Sequence, residues 1–232
     1  MMKAAASLVL VVLATGAILW KVSPCTFGAV TGIAVLPCSY YGPPAPESQA
    51  AGLAREVNYR LSHLPNLRVP AWTSTLAASK QSVNPAKLAS TLGTQRLVEC
   101  SVRRSGERLT VTAQLYDPVD DRNLWGIEIE GQSADELLLV GELFRGLIGD
   151  KALRVGSHYR ERIERADRPP TPSFEAWSAY QGACNDEDAG RYGDALQSFR
   201  RAVLLDSQFA RARVGAARMH RMRRSRDIPA PR

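Results

Sequence analysis

The sequence predicts an α/β fold in the order β-α-β-α-β-β-β-α with a mixed sheet, preceded by a transmembrane helix and followed by an α-helical segment. Three observations carry this. Leu109, Val111, Ala113 and Leu115 alternate with Thr110, Thr112 and Gln114, the period-2 pattern of a strand with one buried face. Ala50, Leu53, Ala54, Val57, Leu61 and Leu64 recur at three and four residues, one face of an amphipathic helix. Residues 4–20 carry no charge and are rich in Leu and Val.

That uncharged run of seventeen residues follows the short basic start 1–3. As a helix it spans about 25 Å, the short end for a membrane. It reads as a signal anchor over 1–21, ending at Trp20 and Lys21. A cleaved signal peptide is the alternative, with Thr15-Gly16-Ala17 as a small-residue site. The expected location is therefore the inner membrane, single-pass, with the bulk of the chain periplasmic, or the periplasm after cleavage. The residues before Cys25 are Val-Ser-Pro, which is not a lipobox.

The domain at 31–150 opens with an apolar strand at 31–38, placed centrally because nearly every position is apolar. Gly42-Pro43-Pro44-Ala45-Pro46 forms a loop, since its prolines forbid a helix. The first helix ends at Pro65-Asn66, and Leu67 to Trp72 reads as the second strand. Asn84-Pro85 starts a second helix, with Pro at its first position, and Gly93 closes it. A β-meander follows: a strand carrying Leu97, Val98, Cys100 and Val102, a turn at 104–107, the alternating strand, and a return from Asn123 to Glu130. Gly106 is free to take positive φ in that first turn. Ser133-Ala134-Asp135-Glu136 reads as a capping box before Leu137, Val140, Phe144 and Leu147 at helical spacing.

Residues 151–172 read as a charged helical extension and a Pro-rich linker, Arg168-Pro169-Pro170-Thr171-Pro172. Helices follow over 173–222, and a basic tail over 223–232 ends the chain. The net charge of +7 resides in residues 211–232, which hold eight Arg and one Asp, so the remaining residues sum to zero. The bulk charge therefore gives no ground for nucleic-acid binding.

Two resemblances extend this reading. Glu99, the run Ser101-Val102-Arg103-Arg104-Ser105-Gly106, Arg108-Leu109, Val111-Thr112-Ala113-Gln114-Leu115, Asp117 and Leu124-Trp125 resemble the TolB-like amino-terminal domain, also called the FlgO-type domain. Gly32-Ile33-Ala34-Val35-Leu36-Pro37 matches its first strand and Leu67-Arg68-Val69 its second. Cys38 and Cys100 stand where that family usually has Phe and Gly. The resemblance implies an α/β domain used in bacterial envelope and signalling proteins, and implies no catalysis. Further on, Gly190-Arg191-Tyr192, Ala195, Leu196, Phe199, Ala202 and Leu205 resemble the second half of a tetratricopeptide (TPR) repeat. Ser207 stands where that repeat usually has Pro. One repeat cannot bury its own face. The helices must then dock on the preceding domain, pair with another molecule, or belong to a truncated array.

None of the four cysteines is spaced as a metal site. Cys38–Cys100, Cys25–Cys38 and free buried thiols all remain open, with Cys184 packed in its helix. His63, His158 and His220 lie far apart, and no glycine-rich phosphate loop or G-x-S-x-G is present. The expectation is a non-enzymatic protein without cofactor or metal. It would engage protein partners, through sheet edges or through the helical groove at Trp177, Tyr192 and Phe199. Arg221, Arg223 and Arg224 are the tail positions expected to meet a partner, an anionic lipid or a polymer. Oligomers are compatible with this reading, and no nucleic acid is expected. The alternative is a regulatory or sensory domain whose output domain lies on another chain.

Overall fold

A computed structural model describes residues 31–43, 48–149, 152–153 and 155–227. The anchor segment 1–21, Cys25 and residues 228–232 lie outside the described residues. No helix among the described residues is long and apolar enough to cross a membrane.

The strands are β1 (Thr31–Val35), β2 (Ser39–Tyr41), β3 (Leu67–Arg68), β4 (Arg96–Ser105), β5 (Arg108–Asp117) and β6 (Arg122–Gln132). The helices are α1 (Ser48–Ser62), α2 (Trp72–Gln81), α3 (Pro85–Leu92), α4 (Glu136–Ile148), α5 (Arg160–Asp167), α6 (Phe174–Asp188), α7 (Tyr192–Leu205) and α8 (Ala210–Asp227). The sheet is mixed, in the order β3-β1-β4-β5-β6, with β2 also paired to β4. β1 is parallel to both β3 and β4, while β4-β5-β6 form an antiparallel meander.

One face of the sheet carries the main core. Ile33, Val35, Val98, Val102, Val111 and Leu115 pack there against Leu53, Val57 and Leu61 of α1 and Val140, Phe144 and Leu147 of α4. Fully burying each such side chain contributes about 1.5–3 kcal/mol. On the other face a smaller cluster forms, with Ala89 and Leu92 of α3 beside Ala34, Leu36, Leu97 and Tyr116. α3 is capped as its sequence requires. Asn84 Oδ1 accepts from the Lys87 N–H at 2.9 Å, and Gly93 takes φ +63° in the left-handed region.

Several expectations are corrected. The second strand shrinks to Leu67–Arg68, because Pro70 has no N–H for the ladder and Trp72 already opens α2. α2 itself carries only Trp72, Thr75 and Ala78 inward, too sparse an apolar pattern to mark a helix. The first strand does not run to Cys38. It breaks at Leu36-Pro37-Cys38 and resumes as β2, which also pairs with β4. Val35 faces Val98 and Ser39 faces Ser101, so three residues on one strand oppose two on the other, a bulge at the proline.

The capping box at Ser133 does not form. The Ser133 N–H donates to the Glu107 carbonyl at 2.8 Å, a 3-10 turn (Ser133–Asp135) intervenes, and α4 begins at Glu136 without a side-chain cap. The Pro-rich stretch is a packed joint. Thr171 is buried and its hydroxyl donates to Asp206 Oδ2 at 2.6 Å, and Ser173 caps α6 through the Ala176 N–H. Of the three fates open to the last helices, the structure shows docking: the described residues from Thr31 onward form one compact unit.

Candidate functional site

Cys38 and Cys100 are joined as a disulfide across the bulge between β1 and β2, with Cα atoms 4.6 Å apart. Pro37 ends β1, and the extra residue in the bulge brings Cys38 beside β4. The bridge pins the β1–β2 junction to the middle of the sheet. Cys184 is free and buried in α6, and desolvation pushes its thiol up from the ordinary value.

The sheet face opposite the main core is polar and largely uncovered beyond α3. Tyr41, Arg103, Thr112, Gly126, Glu128 and Glu130 are exposed there. Gln114 Nε2 donates to Glu99 Oε2 at 2.9 Å, so even the inner part of this face is hydrogen-bonded rather than apolar. Among the described residues β6 pairs only with β5, leaving one edge of an eleven-residue strand free. The β5–β6 turn is braced by Asp117. Burial would raise its carboxyl, but the Val119 and Asp120 N–H groups and the Arg96 guanidinium 2.5 Å away together hold it below the usual carboxylate range. In the same turn the Tyr116 hydroxyl donates to Asp121, which pushes the phenol up to about 12.

The helical residues expected to meet a partner are placed otherwise. Trp177 is 1% exposed and Phe199 0% exposed. Trp177 packs with Phe209, Ala212 and Leu137, and its Nε1–H donates to Glu136 Oε1 at 3.2 Å. Phe199 packs with Ala183, Leu196 and Met219. Both hold the helical layer together, so neither offers a surface to another chain. Tyr192 is half-buried against the same cluster as Phe199. Arg221 is exposed on α8. The side chains of Arg223 and Arg224 lie outside the described residues.

The seam between α1 and the C-terminal helices was not foreseen from the sequence. Arg55 of α1 meets Asp188 of α6 at 2.5 Å and sits over the Trp72 ring at 5.4 Å, while Trp72 Nε1–H donates to Asp188 at 3.1 Å. Arg211 of α8 meets Glu56 at 2.5 Å and lies over the Tyr59 ring at 3.5 Å. Arg60, 0% exposed, bonds Glu56 at 3.0 Å and Asp167 at 3.0 Å. Gly52 lets α6 approach, since a Cβ there would run into the Gln181 amide. In the sequence Arg55, Glu56 and Arg60 fall off the apolar face of α1. The i, i+4 pair Glu56/Arg60 was the available signal, and it is also the commonest surface pattern.

No family model matches the chain. The putative adenylate cyclase 3 of Rhizobium meliloti is 24% identical over 185 residues, 79% of this chain and 32% of that protein. The chain thus spans about a third of the length of the curated relative it matches. Among solved structures it is similar to lipoprotein GNA1162 from Neisseria meningitidis, at 19% identity and TM-score 0.37, over 49% of this chain and 94% of that one. It is similar to the LpoB C-terminal domain from Escherichia coli at 12% identity and TM-score 0.37, over 48% and 90% of the two chains. It is also similar to TolB from Acinetobacter baumannii at 15% identity and TM-score 0.35, over 51% and 28%.

Proposed function

We propose that this chain is a non-enzymatic, membrane-anchored envelope protein that acts as a protein–protein interaction and assembly module. In this reading residues 31–150 are a TolB-like, FlgO-type domain, the last helices derive from a TPR-like hairpin, and the anchor at 1–21 holds the chain in the inner membrane with its bulk in the periplasm. The observation that carries it is the Cys38–Cys100 disulfide, because such bridges persist in oxidising compartments and are rare in the cytosol. The partner surface is the free edge of β6 with the polar sheet face beside it, where an added strand would complete the backbone pairing. Arg221 and the basic tail would add an anionic contact.

A second reading is a regulatory domain whose output domain lies on another chain. It rests on the relative named an adenylate cyclase, of which this chain spans 32%.

A photo-crosslinking residue in place of Glu128 on β6 tests both, with Val83, 99% exposed on the loop before α3, as the control position. Adducts with envelope proteins at position 128 alone support the first reading. Adducts with a signalling chain support the second. Equal adducts at both positions, or none, overturn the assignment of the β6 edge.

A further inference from the structure

β6 ends the sheet on one side, and among the described residues it pairs only with β5. It keeps a regular register from Trp125 to Gln132, since the one shift in the ladder falls between the pairings of Asn123 and Trp125. The Ser133 N–H donates to the Glu107 carbonyl directly across that ladder. Hydrogen-bonded positions alternate along an antiparallel pair, so Gly131, Ile129 and Ile127 also bond to β5. The N–H and C=O groups of Gly126, Glu128, Glu130 and Gln132 therefore point to the open side.

The side chains along this edge differ by face. Glu128 and Glu130 are exposed on the outer face. Thr112 Oγ1–H donates to Glu128 at 3.3 Å, and Arg108 lies 3.6 Å from Glu130. On the core face Trp125 and Ile127 are half-buried. α4 lies close over them, because a Cβ on Gly146 would meet the Trp125 indole at 2.7 Å. Leu138 and Glu142 share that side of α4 by four-residue spacing, and Leu138 is 62% exposed. The open edge is thus acidic on its outer face, and apolar with a further carboxylate on its core face. Pairing with a second copy is opposed. In the two antiparallel registers that pair residues 125–132 most fully, centred on Glu128 or on Ile129, glutamate lies opposite glutamate.

We propose that the β6 edge takes a basic, extended segment of a partner protein, with Lys or Arg at two alternate positions and β-branched or aliphatic residues between them. The segment adds antiparallel, continuing the β4-β5-β6 meander. Its two cations stand directly opposite Glu128 and Glu130, and its apolar residues extend the Trp125–Ile127 stripe beside Leu138. This rests on the β6 edge being the partner surface and adds the partner's chemistry.

The probe is acetyl-Thr-Val-Lys-Val-Lys-Val-Thr-amide, titrated into the isotope-labelled full-length protein, with binding read from amide chemical shifts. Saturable shifts are expected at Gly126, Glu128 and Glu130. Glutamates in place of the lysines, or serines in place of the valines, should each weaken binding about tenfold. N-methylation at either lysine should abolish binding, because those N–H groups face β6, and N-methylation at the middle valine should leave it within about threefold. Glu128→Lys, at an exposed side chain, should erase the preference for lysine over glutamate. Equal binding of the lysine and glutamate peptides, or of the valine and serine peptides, overturns the proposal and leaves the β6-edge reading standing. So does a preference for lysine that survives Glu128→Lys. Absence of saturable shifts at the three edge positions also overturns the proposal, and crosslinking at position 128 then judges the edge reading by itself.

Discussion

Glu56 bridges two guanidiniums: its Oε2 lies 2.5 Å from Arg211 Nη1 and its Oε1 3.0 Å from Arg60 Nε. Arg211 is 155 residues away in sequence, so one nearly buried carboxylate ties the last helix of the described chain to the first. Arg60 continues the link to Asp167, which also meets Arg145 of α4 at 2.8 Å. Glu56→Gln removes the charge shared by both arginines and leaves Arg60 buried with only the carboxylate of Asp167. A loss of about 3–5 kcal/mol is expected, read from the urea midpoint. A loss under about 1 kcal/mol would mean the seam is solvated rather than closed.

The helical layer should unfold together with the sheet. Trp177→Ala removes a fully buried indole that packs on Leu137 and bonds Glu136, both in α4. The expected cost is about 3–5 kcal/mol, with far-UV dichroism and tryptophan fluorescence still giving coincident transitions. Separate transitions would show that the helices form an independent unit.

The disulfide closes a sequence separation of 62 residues. Under the chain-entropy account a loop of that size stabilises by about 4 kcal/mol. Reduction, or the Cys38→Ala/Cys100→Ala pair, should lower the unfolding free energy by that order. Cys184, buried and with its thiol raised, should resist alkylation until the protein unfolds.

Asp117 sets part of the acid limit of stability. Its folded pKa is lowered, so its contribution is fully present above the ordinary carboxylate value and is lost as pH falls through the folded value. The stability of the parent should therefore decline as pH falls below about 4, and Asp117→Asn should flatten that decline. Stability of the variant would be read by urea unfolding at each pH. An unchanged slope would assign acid sensitivity to other carboxylates.

Much of the sheet was legible because each of its signals is local. The alternation in β5, the glycine turn at Gly106 and the Asn84/Gly93 caps need no tertiary information, and they reappear as read. β2 and α2 were hidden for opposite reasons. β2 is three residues after a proline bulge, and α2 buries a single large apolar side chain, Trp72. The seam was hidden because burial there is decided by a second layer of helices. Arg55, Glu56 and Arg60 stand where one-helix periodicity puts solvent, yet Arg55 is tied to α6, Glu56 to α8, and Arg60 to Asp167 of α5 and the Phe144 ring of α4. Trp177 and Phe199 are buried for two different reasons: Trp177 turns toward Leu137 and Glu136 of α4, while Phe199 packs among Ala183, Leu196 and Met219 inside the helical layer.

The central claim is that the described chain lies in an oxidising compartment with its sheet locked by Cys38–Cys100. It is tested most directly by labelling intact cells with a membrane-impermeant maleimide before and after reduction, followed by mapping of the labelled cysteines. The account predicts that Cys38 and Cys100 are labelled only after reduction and without lysis. Labelling of those cysteines only after lysis, with no reductant needed, would contradict it and place the domain in the cytoplasm with its thiols free.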